Sequence, residues 1–206
     1  TNADLSTLSA HLEIYPSFDK QIIKITEGLL RQPTGCFEQA SSANYPNIMA
    51  MMLMQKSNTN NPEFYAKAKK YLNAGYTKLT SYETTSGGFE WFGRNPPHEA
   101  LSAYGLLQFH LIKEVGFEID NAMFDRTLKW LWTRKDQQGG FHFYKGLDGF
   151  TSTTYEINNA YITWVLSRVS DYDLHDQIEA VKADVDKNFD AYKVALLVNT
   201  LFNTGK

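Results

Sequence analysis

The chain has 206 residues, a formal charge of −3, 43% hydrophobic and 14% aromatic residues, and one cysteine. That is ample material for a single globular core; the charge gives no general case for nucleic acid or an anionic membrane as partner, and no apolar run approaches the roughly 18–20 residues of a bilayer span. A lone cysteine excludes an internal disulfide and fits either a reducing compartment or a thiol kept for chemistry. Residues 7–15 alternate, with Leu8, Ala10, Leu12 and Ile14 on one face, which predicts a short strand without an obvious partner in the chain. Ser17 suits the cap of a helix over 18–31, with Ile22, Ile25 and Leu29 along one side. A turn at Gly35-Cys36-Phe37-Glu38-Gln39 follows, and Pro46 fits the first position of a helix running to about Gln55. Asn61-Pro62-Glu63 reads as a cap, a first-position proline and an acidic first turn, opening a helix to about Ser81. Further helices are expected over 98–115, 120–134, 154–169, 173–187 and 190–203, with Asp120 and Asp190 as caps.

An internal repeat organises the second half. Gly87-Gly88-Phe89-Glu90-Trp91-Phe92 recurs 52 residues later as Gly139-Gly140-Phe141-His142-Phe143-Tyr144. Each copy precedes a helix with an Ala-Tyr pair, Ala103-Tyr104 and Ala160-Tyr161, at an offset of 57. A period near 50 with two helices per unit predicts stacked helical hairpins. The glycines allow a tight backbone approach, and the aromatics after them wedge into the helix layer. The expected helix 98–115 is apolar over a wide arc through Ala100, Ala103, Leu107 and Leu111, flanked by Leu101, Tyr104 and Leu106, as an inner-layer helix would be.

The chemistry concentrates at Cys36-Phe37-Glu38-Gln39. Within one turn, a cysteine sulfur and a glutamine carboxamide at this spacing can meet. Attack of the thiolate on the carboxamide with loss of ammonia gives an internal thioester, an acyl group held in reserve. A free cysteine is ordinarily a buried core thiol, and a bare Cys-x-x-Gln is common by chance. A hydrolase nucleophile would need a histidine, for which His98 and His142 are candidates outside any hydrolase motif. His98 otherwise reads as a first-turn helix residue, and His142 as part of the aromatic wedge. No metal or cofactor site is expected, because the five histidines are scattered and no second cysteine exists.

The stretch Gln32-Pro33-Thr34-Gly35-Cys36-Phe37-Glu38-Gln39, continuing through Ser41-Ser42-Ala43-Asn44-Tyr45-Pro46-Asn47, resembles the thioester signature of the alpha-2-macroglobulin and complement family, in particular its bacterial branch. The usual small third residue of that signature is Phe37 here. The segments Gly93–Phe109, Lys129-Trp130-Leu131 and Asn159–Trp164 also look like family landmarks, so the resemblance extends from about Leu29 to Leu201. It implies an all-α domain, an α/α toroid of helical hairpins that is truncated at the C-terminus. Residues 17–206 would form this thioester domain, and residues 1–16, with the short β-strand, would be the end of an adjoining β-sandwich domain. It further implies a protease trap and not an enzyme, located in the periplasm, at the cell surface or secreted. Cys36 would supply the sulfur and Gln39 the acyl carbon, and proteases or other proteins would be captured covalently. Negative charge is favoured at a helix start, which suits a sulfur that must form and later leave this bond. Phe37, Tyr45 and the nearby methionines would keep water from it.

Complement members that prefer hydroxyl targets carry a histidine in the loop after the second Gly-Gly-Phe. That loop here is Tyr144–Phe150, with Asp148 nearest the place and no histidine, which implies direct attack by amines. The Gly-Gly-Phe wedges leave a second reading open, an α/α-toroid enzyme acting on carbohydrates or terpenoids. It would need paired carboxylates facing one cavity, for which Asp136, Asp148 and Glu156 are the candidates.

Overall fold

The computed structural model describes residues 5–7, 9–16, 18–57, 61–143 and 153–205. Among them are eight α-helices: α1 (Phe18–Leu29), α2 (Phe37–Ser57), α3 (Pro62–Thr80), α4 (Glu99–Glu114), α5 (Asn121–Thr133), α6 (Tyr155–Val169), α7 (His175–Lys187) and α8 (Ala191–Thr204). They form two layers. Helices α2, α4, α6 and α8 pack side by side in chain order, while α1 and α3 lie on α2, α5 on α4, and α7 on α6 and α8. Outer helix α3 buries one stripe, Phe64, Ala68, Leu72, Gly75 and Leu79, at the four- and three-residue spacing of a single helical face. Inner helix α4 buries Leu101, Ala103, Leu106, Leu107, Phe109, Leu111 and Ile112, all round its circumference, which requires neighbours on more than one side.

Polar side chains start most of these helices where the sequence placed them. Asn61 Oδ1 accepts from Phe64 N at 3.1 Å, Asp120 Oδ1 from Met123 N at 3.0 Å and Asp190 Oδ1 from Lys193 N at 2.9 Å. Thr154 Oγ1 does the same for Ile157 N. Each satisfies a donor the helix cannot, worth about 1 kcal/mol.

The repeat is reproduced bond by bond. An antiparallel bridge joins Glu83 to Phe89, and its counterpart 52 residues on joins Lys135 to Phe141. Phe89 N donates to Ser102 Oγ at 2.8 Å, and Phe141 N donates to Asn159 Oδ1 at 2.9 Å. The two acceptors differ chemically but sit one residue before the paired alanines of α4 and α6. Both phenylalanines are fully buried. Gly88, at φ +79°, lies so close to the α5 ring of Trp130 that a Cβ there would stand 2.7 Å from it.

Two expectations need correction. The strand expected over residues 7–15 does not form among its described residues: Thr7 closes a 3-10 turn, residues 9–15 have no ladder, and Leu12 and Ile14 are 85% and 84% exposed. An alternating pattern becomes a strand only when a neighbour satisfies its backbone groups. Pro46 does not open a helix either. It lies inside α2, which begins at Phe37. A proline there deprives the Ser42 carbonyl of its usual donor, at about 3 kcal/mol or more in a helix interior, and α2 offsets this by burying Phe37, Ala40, Ile48, Ala50 and Met51 completely.

Candidate functional site

The first turn of α2 carries the cysteine and the glutamine. Cys36 is the cap residue, since its carbonyl accepts the first helical bond from Ala40 N at 2.8 Å. Gln39 is then the third residue of the helix, and its Oε1 accepts from Cys36 N at 3.2 Å. This is half of a capping box, in which the side chain at the third position reaches back to the cap N–H. Cysteine occupies the place where serine or threonine usually completes the box. The three-residue spacing therefore has a local physical cause, and it folds the Gln39 carboxamide back onto the Cys36 backbone. Gly35 makes the approach possible. It has φ +84°, and a Cβ on it would fall 2.1 Å from Gln39 Oε1.

The loop leading into this turn is clamped. Asn47, fully buried in α2, donates from Nδ2 to Arg31 O at 3.0 Å and accepts from Arg31 N at 3.3 Å. The turn is also roofed by the first Gly-Gly-Phe wedge. Phe37 N donates to Trp91 O at 2.9 Å, and Tyr82 Oη donates to Gly35 O at 2.5 Å. The Phe37 ring stacks on Phe89, centroids 4.9 Å apart, and meets Tyr82 edge-on at 6.2 Å. Cys36 is buried, at 8% exposure, while Gln39 is exposed.

Trp91 Nε1 donates to Glu38 Oε2 at 2.8 Å. On the other side of that indole lies His98, ring centroids 4.8 Å apart. His98 is buried and caps α4, with Nδ1 accepting from Leu101 N at 3.3 Å, so it is held by local structure as its sequence context suggests. Among the described hydrogen bonds, that of Cys36 N goes to Gln39 and that of the His98 ring to Leu101 N. His142 departs from expectation. Its side chain is exposed and not wedged, beside Asp136, and its backbone N donates to Arg134 O. Asp148 lies outside the described residues.

Asp136 is a turn-forming group. Its carboxylate accepts from Gln138 N, Gly140 N and the Tyr155 hydroxyl. Burial alone would raise its carboxyl, but these bonds outweigh it and hold the group below the usual carboxylate range. A glycosidase acid needs the opposite shift. Among the described residues no group of three or more His, Cys, Asp or Glu side chains is arranged to hold a metal ion, and no helix is long and apolar enough to cross a membrane.

Sequence reasoning missed Glu38, Tyr82 and Trp91 as parts of the site. A signal existed: the first wedge carries Glu90-Trp91 where the second carries His142-Phe143, and a buried indole N–H requires an acceptor. Tyr104, on α4, hydrogen-bonds Ser42 on α2, and burial pushes its phenol up to about 12. A phenol raised in the folded state stabilises the fold fully below the unfolded value near 10, and this contribution is lost as pH rises through 12. Tyr104→Phe should accordingly flatten the fall in denaturation midpoint between pH 10 and pH 12. An unchanged slope would show that this phenol titrates normally.

A family model described as the A-macroglobulin TED domain matches residues 8–190. Among curated proteins, thioester-containing protein 1 of Anopheles gambiae is 26% identical over 139 residues in its S3 allele and 27% over 140 in its R1 allele. Each match covers 68% of this chain and 10% of the relative, so the chain spans about a tenth of these proteins. Among solved structures, Salmonella alpha-2-macroglobulin reacted with methylamine aligns with a TM-score of 0.62 at 17% identity, over 93% of this chain and 12% of that one. Native Escherichia coli alpha-2-macroglobulin, spanning domain MG7 to the C-terminus, aligns with a TM-score of 0.62 at 20% identity, over 92% and 29%. The all-helical fold is thus shared with the bacterial proteins, and the match over most of its length makes this chain a member of the A-macroglobulin TED domain family.

Proposed function

We propose that Cys36 and Gln39 condense to an internal thioester, and that this domain belongs to an alpha-2-macroglobulin-like trap that captures proteases or other target surfaces covalently. The observation that carries the reading is the contact of Gln39 Oε1 with Cys36 N at the start of α2, beside a glycine that alone leaves room for it. Thiolate attack on Gln39 Cδ expels ammonia and leaves the acyl group on Sγ, with the turn supplying the effective concentration of an intramolecular step. The Phe37, Phe89, Tyr82 and Trp91 side chains limit access of water. A target amine then takes the acyl group and the thiol is released. The protein acts as a single-turnover inhibitor and not as an enzyme.

On the same reading, the four inner helices are part of an α/α toroid completed by further hairpins. Residues 1–16 end a neighbouring β-sandwich, and the whole protein works outside the cytoplasm. Asp148 replaces the histidine that relays acyl transfer to hydroxyls, so amines react directly.

Mass spectrometry and thiol titration test this. The isolated domain is expected to carry a free Cys36 thiol and an unlinked Gln39, because the covering domains are absent. Full-length protein should be lighter by one ammonia, resist alkylation, and gain methylamine with release of one thiol, much faster than it reacts with glycerol. Cys36→Ala should abolish both methylamine uptake and cross-linking while the helical fold persists. Cross-linking that survives Cys36→Ala overturns the proposal.

A further inference from the structure

The carbonyl that the chemistry proposed above must open already has a donor. Gln39 Oε1 accepts from Cys36 N at 3.2 Å, so the oxygen that gains negative charge when sulfur adds to Gln39 Cδ rests on a backbone N–H. That N–H belongs to the peptide group between Gly35 and Cys36, and the other end of the same group is held as well. The Gly35 carbonyl accepts from Tyr82 Oη at 2.5 Å, across 47 residues of chain. In a planar trans peptide the C=O and the N–H point in opposite directions. Fixing the oxygen on Tyr82 therefore aims the hydrogen at Gln39 Oε1.

The next peptide group, between Cys36 and Phe37, is also tied at both ends. The Cys36 carbonyl accepts from Ala40 N at 2.8 Å, and Phe37 N donates to Trp91 O at 2.9 Å. The Phe37 N–H is thus engaged elsewhere and does not compete for the carboxamide. Tyr82 is itself set in place, with the Phe37 ring edge-on at 6.2 Å and Lys78 Nζ 5.3 Å from its ring centroid. Hydrogen bonds in series polarise one another, so the phenol on the Gly35 oxygen also strengthens the Cys36 N–H as a donor. A preorganised donor aimed where charge develops stabilises the oxyanion of acyl transfer, and the backbone N–H of the attacking residue can itself serve.

We propose that the Cys36 N–H is the oxyanion donor for closure of the thioester, and that Tyr82 is the positioning residue that holds it. The proposal rests on the thioester reading above and adds the means by which an unreactive carboxamide is opened. Cys36 Sγ adds to Gln39 Cδ as its proton passes to the carboxamide nitrogen. The π electrons of the C=O move onto Oε1, where the Cys36 N–H meets the charge. The C=O then re-forms, the Cδ–Nε2 bond breaks, and ammonia leaves to solvent from the exposed Gln39. Nothing is oxidised or reduced. The reverse path, opening of the thioester by ammonia, crosses the same oxyanion.

The test follows that reaction in both directions in full-length protein. Added ammonia opens the thioester and exposes one thiol; its removal lets the bond close, read as loss of the thiol titre and of one ammonia in mass. In Tyr82→Phe both rate constants should fall about tenfold, part of the roughly 10²–10³ that a whole oxyanion donor contributes. The ratio of closed to open protein at fixed ammonia should stay within about twofold, because stabilising a transition state leaves the equilibrium where it was. A residue that only braced the fold would shift that ratio. Substitution of Tyr82 by meta-fluorotyrosine keeps the ring and gives a stronger donor, so closure at neutral pH should be faster than in unmodified protein; this arm is decisive even where Tyr82→Phe does not fold. Unchanged rates in Tyr82→Phe, a ratio shifted by as much as closure slows, or equal or slower closure with fluorotyrosine overturns the proposal and leaves the thioester standing. Full-length protein that never loses ammonia overturns the thioester reading, and this proposal with it.

Discussion

Gly35→Ala should leave the domain folded and yet eliminate thioester formation in the full-length protein, so that methylamine releases no thiol. The added Cβ would lie 2.1 Å from Gln39 Oε1 and 3.0 Å from Gln39 Cβ and Cδ. The end of a glutamine side chain is free to swing away, so the clash itself costs the fold little. Holding alanine at φ +84° adds about 1–2 kcal/mol. What the substitution removes is the juxtaposition: Gln39 no longer reaches back to Cys36, and the effective concentration on which the intramolecular step depends is gone. A shift in the denaturant midpoint equivalent to that cost, together with a mass that retains the ammonia and a freely alkylated thiol, is the expected pair of results. Full thiol release by methylamine in Gly35→Ala would show that the turn reaches its reactive geometry without the glycine.

Phe37→Ala should be the most destabilising single substitution at the site, by about 3–5 kcal/mol in equilibrium unfolding. The ring is fully buried, stacked on Phe89, edge-on to Tyr82, and its terminal carbon is 3.0 Å from where a Cβ on Gly105 would stand. No neighbour can collapse into that space without pulling α2 and α4 together. A loss below 1 kcal/mol would mean that the wedge does not depend on this ring. Phe37→Leu, which keeps most of the volume, should recover much of the difference.

Much of the architecture was legible because it is written in local chemistry. Asn61, Asp120 and Asp190 announce helix starts through side chains whose bonds are made within three residues. The two wedges are legible because Gly-Gly-Phe repeats at a fixed interval and the bridges it makes are six residues long. Cys36 and Gln39 were legible for the same reason, since their contact is confined to one turn. Failures occurred where a distant partner decides. Leu12 and Ile14 alternate like a strand but have no strand beside them among the described residues. Pro46 has the look of a helix start, and only the burial of α2 on α3 and α4 explains why the helix runs through it. Glu38 joins the site through an indole 53 residues away.

The layered order also sets a sequence of events in folding. Each inner helix packs against the one before it, which lets early hairpins close while later ones are still being synthesised. The reactive turn is an exception to that progression. Gly35, Phe37 and Glu38 receive their ties from Tyr82, Phe89 and Trp91, so the turn emerges roughly fifty residues ahead of its roof. Until the first wedge docks, Cys36 and Gln39 stand in a turn open to water. A thioester closed there before that docking would be open to hydrolysis, so the reading proposed above requires bond closure to follow it.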